Sequence, residues 1–319
     1  MAATSDLPVA YRALTTGCGL VDRSPLGKLL LTGPDAATFL NGQVSNDVEA
    51  LAPGEGCLAT FLTAKGKMLG DLRILRTGDE PLELLLLTER PALQALFDQV
   101  RRGLIGWRVE LQKRTLELGQ LSLVGPRSDE VAKAAGLAIP GPEEHASIDG
   151  VVRTDLGLDV LPFADRLEEL RRALGEAGAV EVGEEIAEVV RVEHGRPRYG
   201  IDLDDSVMPA EAGLESRAVS FTKGCYVGQE TVARLHWKGR PNRHLRGLRL
   251  SAPASAGDVV RAGDREVGRL ASVVISPRLG PIALALVRRE VEPGAQVEVG
   301  EPGAAAELVE LPFSPAAAG

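Results

Sequence analysis

Short apolar runs set the frame of the first ninety residues. Positions 28–32, 57–62, 72–76 and 82–88 have the length and texture of buried strands. From about 89 to 101 the period changes. Leu93, Leu96, Phe97 and Val100 stand at i, i+3, i+4 and i+7, one face of a helix, with Pro91 acceptable in its first turn. Gly125-Pro126-Arg127-Ser128 opens a short helical segment, and 136–150 is loop-like, with Gly, Pro and acidic residues. Residues 151–161 read as a hairpin. Asp165 and Glu168 form a helix-start pair ahead of Leu167, Leu170, Leu174 and Ala177, and Gly178 ends that helix. From 245 onward, short β-rich runs near 245–250, 258–261, 266–275, 282–287 and 296–299 are divided by Gly and Pro, the signal of a small barrel. Periodicity alone therefore predicts mixed α/β structure followed by β. The end, 312–319, reads as a frayed tail.

Bulk properties narrow the class. A length of 319 residues predicts about two to three domains. Aromatics make up only 3%, so aliphatic side chains must fill the cores. A net charge of -9 argues against a general nucleic-acid or acidic-membrane binder. No stretch approaches the roughly 18 uninterrupted apolar residues of a membrane span, and the first residues lack the basic and apolar regions of a secretory signal. Cys18, Cys57 and Cys225 are widely separated, an intracellular pattern. These features predict a cytoplasmic protein. One chain cannot supply the four thiolates of a usual iron–sulfur site, and there is no phosphate loop and no His-x-x-x-His zinc helix.

Candidate chemistry is concentrated in a few places. In the helix-compatible run 184–194, Ile186, Val189 and Val190 define the apolar face, and Glu193 falls seven residues after Ile186. A carboxylate there must be paired with an arginine or must bind a hydrogen-bond donor. Asp71 precedes the run from Leu72 to Leu75, and its plainest role is a solvated turn. Asn46 and Asp47 are natural turn or helix caps. Residues 231–257 lack any acidic residue and contain six Lys or Arg side chains, Arg243 among them. A solvated basic face and a clamp for a small polyanion fit this stretch equally well.

The densest signal is Lys223-Gly224-Cys225-Tyr226-Val227-Gly228-Gln229-Glu230. One thiol stands between two glycines, with Lys223 near enough in sequence to favour its thiolate. A helix-compatible run begins at Gln229. This octapeptide resembles the signature of the YgfZ proteins, folate-binding relatives of the glycine-cleavage T-protein that assist iron–sulfur cluster assembly or repair. Other segments are similar to the wider aminomethyltransferase superfamily. Gly27-Lys28-Leu29-Leu30-Leu31-Thr32-Gly33-Pro34-Asp35-Ala36, Val44-Ser45-Asn46-Asp47-Val48, Glu193-His194-Gly195, Tyr199-Gly200-Ile201-Asp202 and Ser276-Pro277-Arg278-Leu279-Gly280 carry that likeness.

The resemblance implies an α+β, three-lobed fold with a C-terminal β-barrel and a folate between the lobes. Residues 1–50 with about 140–240 would form the folate-binding lobe, 51–139 an inserted α/β lobe, and 241–319 the barrel with its tail. Tetrahydrofolate or a derivative would contact Glu193, Asn46, Tyr199, Gln229 and Arg243. Glu193 would hold the pterin as a bidentate pair, and Arg243 with its basic neighbours would face the glutamate tail. Cys225, Lys223 and Asp71 would carry the chemistry. The expected partners are iron–sulfur client or assembly proteins, with no nucleic acid, membrane or bound metal. T-proteins carry two adjacent aspartates where this chain has Gly70-Asp71, which counts against aminomethyl transfer. Transfer of the T-protein type remains the alternative, and a folate-binding structural domain a weaker third.

Overall fold

A computed structural model of the chain describes residues 8–143, 145–301 and 303–313. In chain order, α1 (Val9–Thr16), β1 (Gly19–Asp22), β2 (Gly27–Thr32) and α2 (Ala36–Asn41) come first. They lead to β3 (Gly56–Leu62), β4 (Met68–Asp79), β5 (Leu82–Thr88) and α3 (Arg90–Gly103). Next come β6 (Glu110–Lys113), β7 (Leu121–Val124), α4 (Ser128–Ala134), β8 (Ser147–Ile148), β9 (Val151–Thr154) and β10 (Gly157–Val160). Then follow α5 (Leu167–Glu176), β11 (Val180–Glu181), α6 (Glu184–Glu193), α7 (Glu215–Ala218) and α8 (Gln229–Lys238). The last part is all β: β12 (Arg243–Leu250), β13 (Val259–Ala262), β14 (Arg265–Ser276), β15 (Gly280–Arg288), β16 (Gln296–Val299) and β17 (Ala304–Val309).

These strands make two open sheets and a barrel. The first sheet runs β11-β1-β7-β10-β9-β8, the second β3-β4-β5-β2-β6, and the barrel closes as β12-β15-β14-β13-β16-β17. The α+β architecture with a C-terminal barrel is as the sequence predicts. The division at residues 51 and 139 is not where the sheets part. β2 lies inside the second sheet, between β5 and β6, and β7 inside the first, between β1 and β10. Leu29 and Leu31 of β2 are buried in one core with Ile74, Leu84 and Leu86, so apolar packing draws this strand across the sequence boundary.

Two further expectations change. The Asp165–Glu168 pair makes no capping bond, because a 3₁₀ turn at Ala164–Arg166 precedes α5, whose N-cap is Arg166. Phe313 is buried against Val192, Leu245, Ile282 and Leu284, so the chain is still packed at a position expected to fray. Residues 314–319 lie outside the described residues. Among the described residues no helix is long and apolar enough to cross a membrane.

Helix α6 joins the three units. Its last five residues, Val189 to Glu193, are all buried, as expected of a helix surrounded by protein. Val189 and Val190 pack with Tyr11 and Val21, and Val192 packs against the barrel residues Leu245, Ile282 and Leu284. An ion network follows the same line. Arg191 donates to Asp202 at 2.6 Å and pairs with Glu188, and Ser272 of the barrel donates to Asp202 at 2.6 Å. Arg198 pairs with Glu188 at 3.1 Å and with Glu89, at the start of α3, at 3.5 Å. Helix α6 thus packs against α1, β1 and the barrel, and its Glu188 is linked through Arg198 to Glu89 at the start of α3.

Candidate functional site

Glu193 ends α6 and is 2% exposed. Its carboxylate already has partners. The Tyr11 hydroxyl donates to both oxygens, at 2.7 and 2.9 Å. Ser276 donates to Oε1, and Arg278 donates to Oε2 at 3.3 Å. Burial first, then the hydrogen bond to Glu193, pushes the Tyr11 phenol up to about 12. The expected two-point pterin clamp is therefore not open in this arrangement, because Tyr11 bridges the two oxygens. The position at Oε2 held by Arg278 is the exchangeable one. That side chain is 47% exposed, and it lines, with Glu193 and His194, a cleft of about 570 Å³ between the first sheet and the barrel.

Asp71 lies on β4, opposite Thr60 of β3. Its Oδ1 is buried and has no hydrogen-bond partner among the described residues. Desolvation raises this carboxyl to about 6. Glu89 is also raised to about 6, by burial first and with the Asp71 charge adding to it. Asp71 is thus no solvated turn residue, and its lone oxygen suits an N–H donor from a ligand. The neighbouring Gly70 is closed off. A Cβ there would stand 2.8 Å from Cβ of Ala92 on α3, with Leu96 next to it. Helix α3 occupies the space that a second aspartate would need.

The octapeptide loop packs on the turn between β3 and β4. Gly228 is the N-cap of α8 with φ 85, and a Cβ there would lie 2.6 Å from the Thr63 carbonyl oxygen. Only glycine fits both demands. Gly224 differs: a Cβ would meet nothing within 4 Å. Cys225 is exposed, whereas Cys18 and Cys57 are buried. Burial pushes the Cys57 thiol up to about 12 and raises that of Cys18. Lys223, expected from its nearness in sequence to favour the Cys225 thiolate, turns its ammonium inward. Its ammonium donates to the carbonyls of Asn41, Val44 at 2.9 Å and Asn46 at 2.8 Å. An ammonium has three donors, and all are taken. Burial lowers Lys223 to about 8, and it lies over the Tyr226 ring at 5.3 Å.

The other candidates scatter. Asn46 donates to the carbonyls of Leu58 and Arg217 and accepts from the Asp47 amide, so it caps a turn and bridges two segments. Its carbonyl is one of the three that hold Lys223. Tyr199 is half-buried, and burial first, then Asp205, Asp204 and Asp71, raises its phenol; Asp71 is thus the one other candidate whose charge reaches it. Gln229 starts α8, its amide bonded to the Tyr226 carbonyl at 3.2 Å. Arg243 is engaged with Glu211 at 3.1 and 3.2 Å and with the Ser206 carbonyl, on the wall of a second cleft of about 970 Å³. Arg246 pairs with Glu310, and Arg249 sits over Phe313. The basic stretch is therefore split between α8 and β12 and does not form one clamp. Sequence reasoning missed Tyr11, Arg278 and Glu89. Ser276-Pro277-Arg278 stood out as a segment, but nothing along the chain says that it closes on Glu193.

Comparison with known proteins gives this arrangement a class. The model of the GCVT N-terminal domain matches residues 9–138, and that of the glycine cleavage T-protein C-terminal barrel domain matches 243–314. The fold is that of the glycine cleavage system aminomethyltransferase T from Bartonella henselae, with a TM-score of 0.86, 23% identity, and 96% of this chain and 89% of that one covered. An aminomethyltransferase of Rubrobacter xylanophilus is 30% identical over 97% of this chain and 88% of its own length. A chloroplastic protein of Arabidopsis thaliana carrying the general name transferase is 28% identical over 92% of this chain and 70% of its own. The chain belongs to the glycine cleavage T-protein family.

Proposed function

We propose that this chain is a tetrahydrofolate-binding accessory protein for iron–sulfur proteins, of the YgfZ kind, acting through Cys225. The observation that carries the reading is the exposed thiol on a fastened loop. Lys223 anchors one end of that loop to residues 41–46, Gly228 anchors the other to the β3–β4 turn, and Cys225 between them faces solvent. Folate binding is supported by Asp71, whose buried Oδ1 lacks a donor, and by the cleft beside Glu193. In this reading Asp71 accepts from a folate N–H, and Glu193 accepts one bond once Arg278 swings out. The folate supplies a one-carbon or redox-active pterin. Orientation and the exclusion of water from the buried carboxylates belong to the protein.

The second reading is aminomethyl transfer, favoured by the names of the relatives. Position 70 argues against it. The aspartate pair of the T-protein cannot form while α3 packs on Gly70. A paired assay separates the two. Calorimetric titration should show tetrahydrofolate binding. Supplying aminomethylated lipoyl carrier protein with tetrahydrofolate should release no ammonia above background, from the wild type or from Gly70→Asp. Robust ammonia release by the wild type would make the chain a transferase.

A further inference from the structure

We infer that the loop carrying Cys225 and the C-terminal half of α8 form one docking surface for an acidic face of an iron–sulfur protein. The inference rests on the accessory reading above and names the surface and the chemistry of its partner. The loop and the helix are joined at both ends. Gly228 is the N-cap of α8, and Phe221, four residues before Cys225, stacks on His236 near the other end, with ring centroids 3.9 Å apart. Trp237 stands edge-on to His236 at 4.7 Å and is 71% exposed. Cys225 is therefore held alongside a helix of ten residues, about 15 Å long. A span of that length is within the reach of a patch of about 800 Å², the usual contribution of one partner.

Two observations point outward. The first is Gly224. Its Cβ position is open space and its φ is not in the left-handed region, so nothing among the described residues requires glycine beside Cys225. The open space leaves room for another backbone to approach closely beside the thiol. The second is charge. Over 229–242 the chain has one acidic residue, Glu230, against Arg234, Lys238 and Arg240. Glu230 is neutralised by Arg234 at 2.6 Å, and Glu215 lies under His236 at 3.2 Å. Lys238 and Arg240 are exposed and form no ion pair among the described residues. In a chain of net charge -9 this stretch is locally basic around an exposed tryptophan, whereas Asp47 and Glu49 lie on the Lys223 side of the loop. Such pairings of an aromatic anchor with a charged rim mark protein interfaces, and the rim selects a partner of opposite sign. A single-stranded nucleic acid fits less well. It needs successive open ring faces, whereas the Phe221 and His236 faces are stacked on each other.

The test uses the full chain and an acidic [2Fe–2S] ferredoxin as probe, with binding read by biolayer interferometry at low salt and at about 0.3 M salt. Binding should be present at low salt and weaken about tenfold at high salt. Trp237→Ala, Gly224→Leu and the double variant Lys238→Glu/Arg240→Glu should each weaken it about tenfold or more. Thermal midpoint and tetrahydrofolate titration should match the wild type. Absence of ferredoxin binding, or variants that bind as the wild type does, would overturn the inference. So would tighter binding of a single-stranded RNA oligonucleotide at the same residues, or a concentration-dependent dimer lost in the same variants. Tetrahydrofolate binding and client-enzyme activity are read separately, so failure of the surface and failure of the accessory reading give different patterns.

Discussion

Glu193 and Cys225 were both singled out by residue type, and the fold treats them in opposite ways. The carboxylate is enclosed where the first sheet's side of the protein meets the barrel, and Tyr11, Ser276 and Arg278 fill its acceptor positions. The thiol is exposed, with an unfilled glycine position beside it. A buried charge must be satisfied inside the protein, so a ligand at Glu193 has to compete with resident donors. An exposed group on an anchored loop meets no such competition. Lys223 makes the same point within one motif. It lies two residues from Cys225, yet burial turns it inward to three carbonyls.

The largest contrast should appear in thiol chemistry. Iodoacetamide should label Cys225 faster than Cys18 and Cys57 by about two orders of magnitude or more near pH 8, because the buried thiols are both inaccessible and held protonated. Site-resolved mass spectrometry gives the three rates, and equal rates would erase the contrast. Next comes Glu193→Ala, which removes the carboxylate to which the Tyr11 and Ser276 hydroxyls and Arg278 donate. It takes a charged acceptor from two buried hydroxyls and should cost about 3–5 kcal/mol in urea unfolding. In protein that still folds, tetrahydrofolate binding should weaken by about 1.5–3 kcal/mol. A variant as stable as the wild type would mean that the carboxylate is not structurally engaged.

Lys223→Met tests the motif from within. It strips donors from three carbonyls and should cost about 2–4 kcal/mol. A stable variant with a slowed Cys225 labelling rate would restore the activating role that the sequence implies. The smallest effect concerns Asp71. Its folded carboxyl titrates near 6, against about 4 in the unfolded chain. The folded state therefore binds more protons between these values. The contribution to stability is present below about pH 4 and is lost as the pH rises through 6. Asp71→Asn should match the wild type at pH 4 and exceed it at pH 8 by about 1–3 kcal/mol. A loss of stability at pH 8 would show that the carboxylate is satisfied after all.

How far the sequence could be read follows from the same physics. β2 to β5 and α3 were legible because long apolar runs and a clean helical period report burial directly. The first sheet was hard to see. Its strands β1, β7 and β11 are only two to four residues long. In the second sheet the edge strand β6 is the polar Glu-Leu-Gln-Lys and was equally hard to see. β17 escaped because three alanines carry little β signal. Helix α6 predicted that Glu193 lies near the apolar face, but not its closing partner Tyr11, 182 residues away. Gly70 showed a missing aspartate, and only the packing of Ala92 shows that the gap is filled.

We propose that the protein serves iron–sulfur enzymes through the thiol at 225 and not through aminomethyl transfer. Deletion of the gene, followed by restoration with the wild type or with Cys225→Ser, tests it most directly, with the activities of several iron–sulfur enzymes as the readout. The account predicts low activities in the deletion strain, recovery with the wild type, and no recovery with an equally abundant, folded Cys225→Ser protein. Full recovery with Cys225→Ser would contradict it.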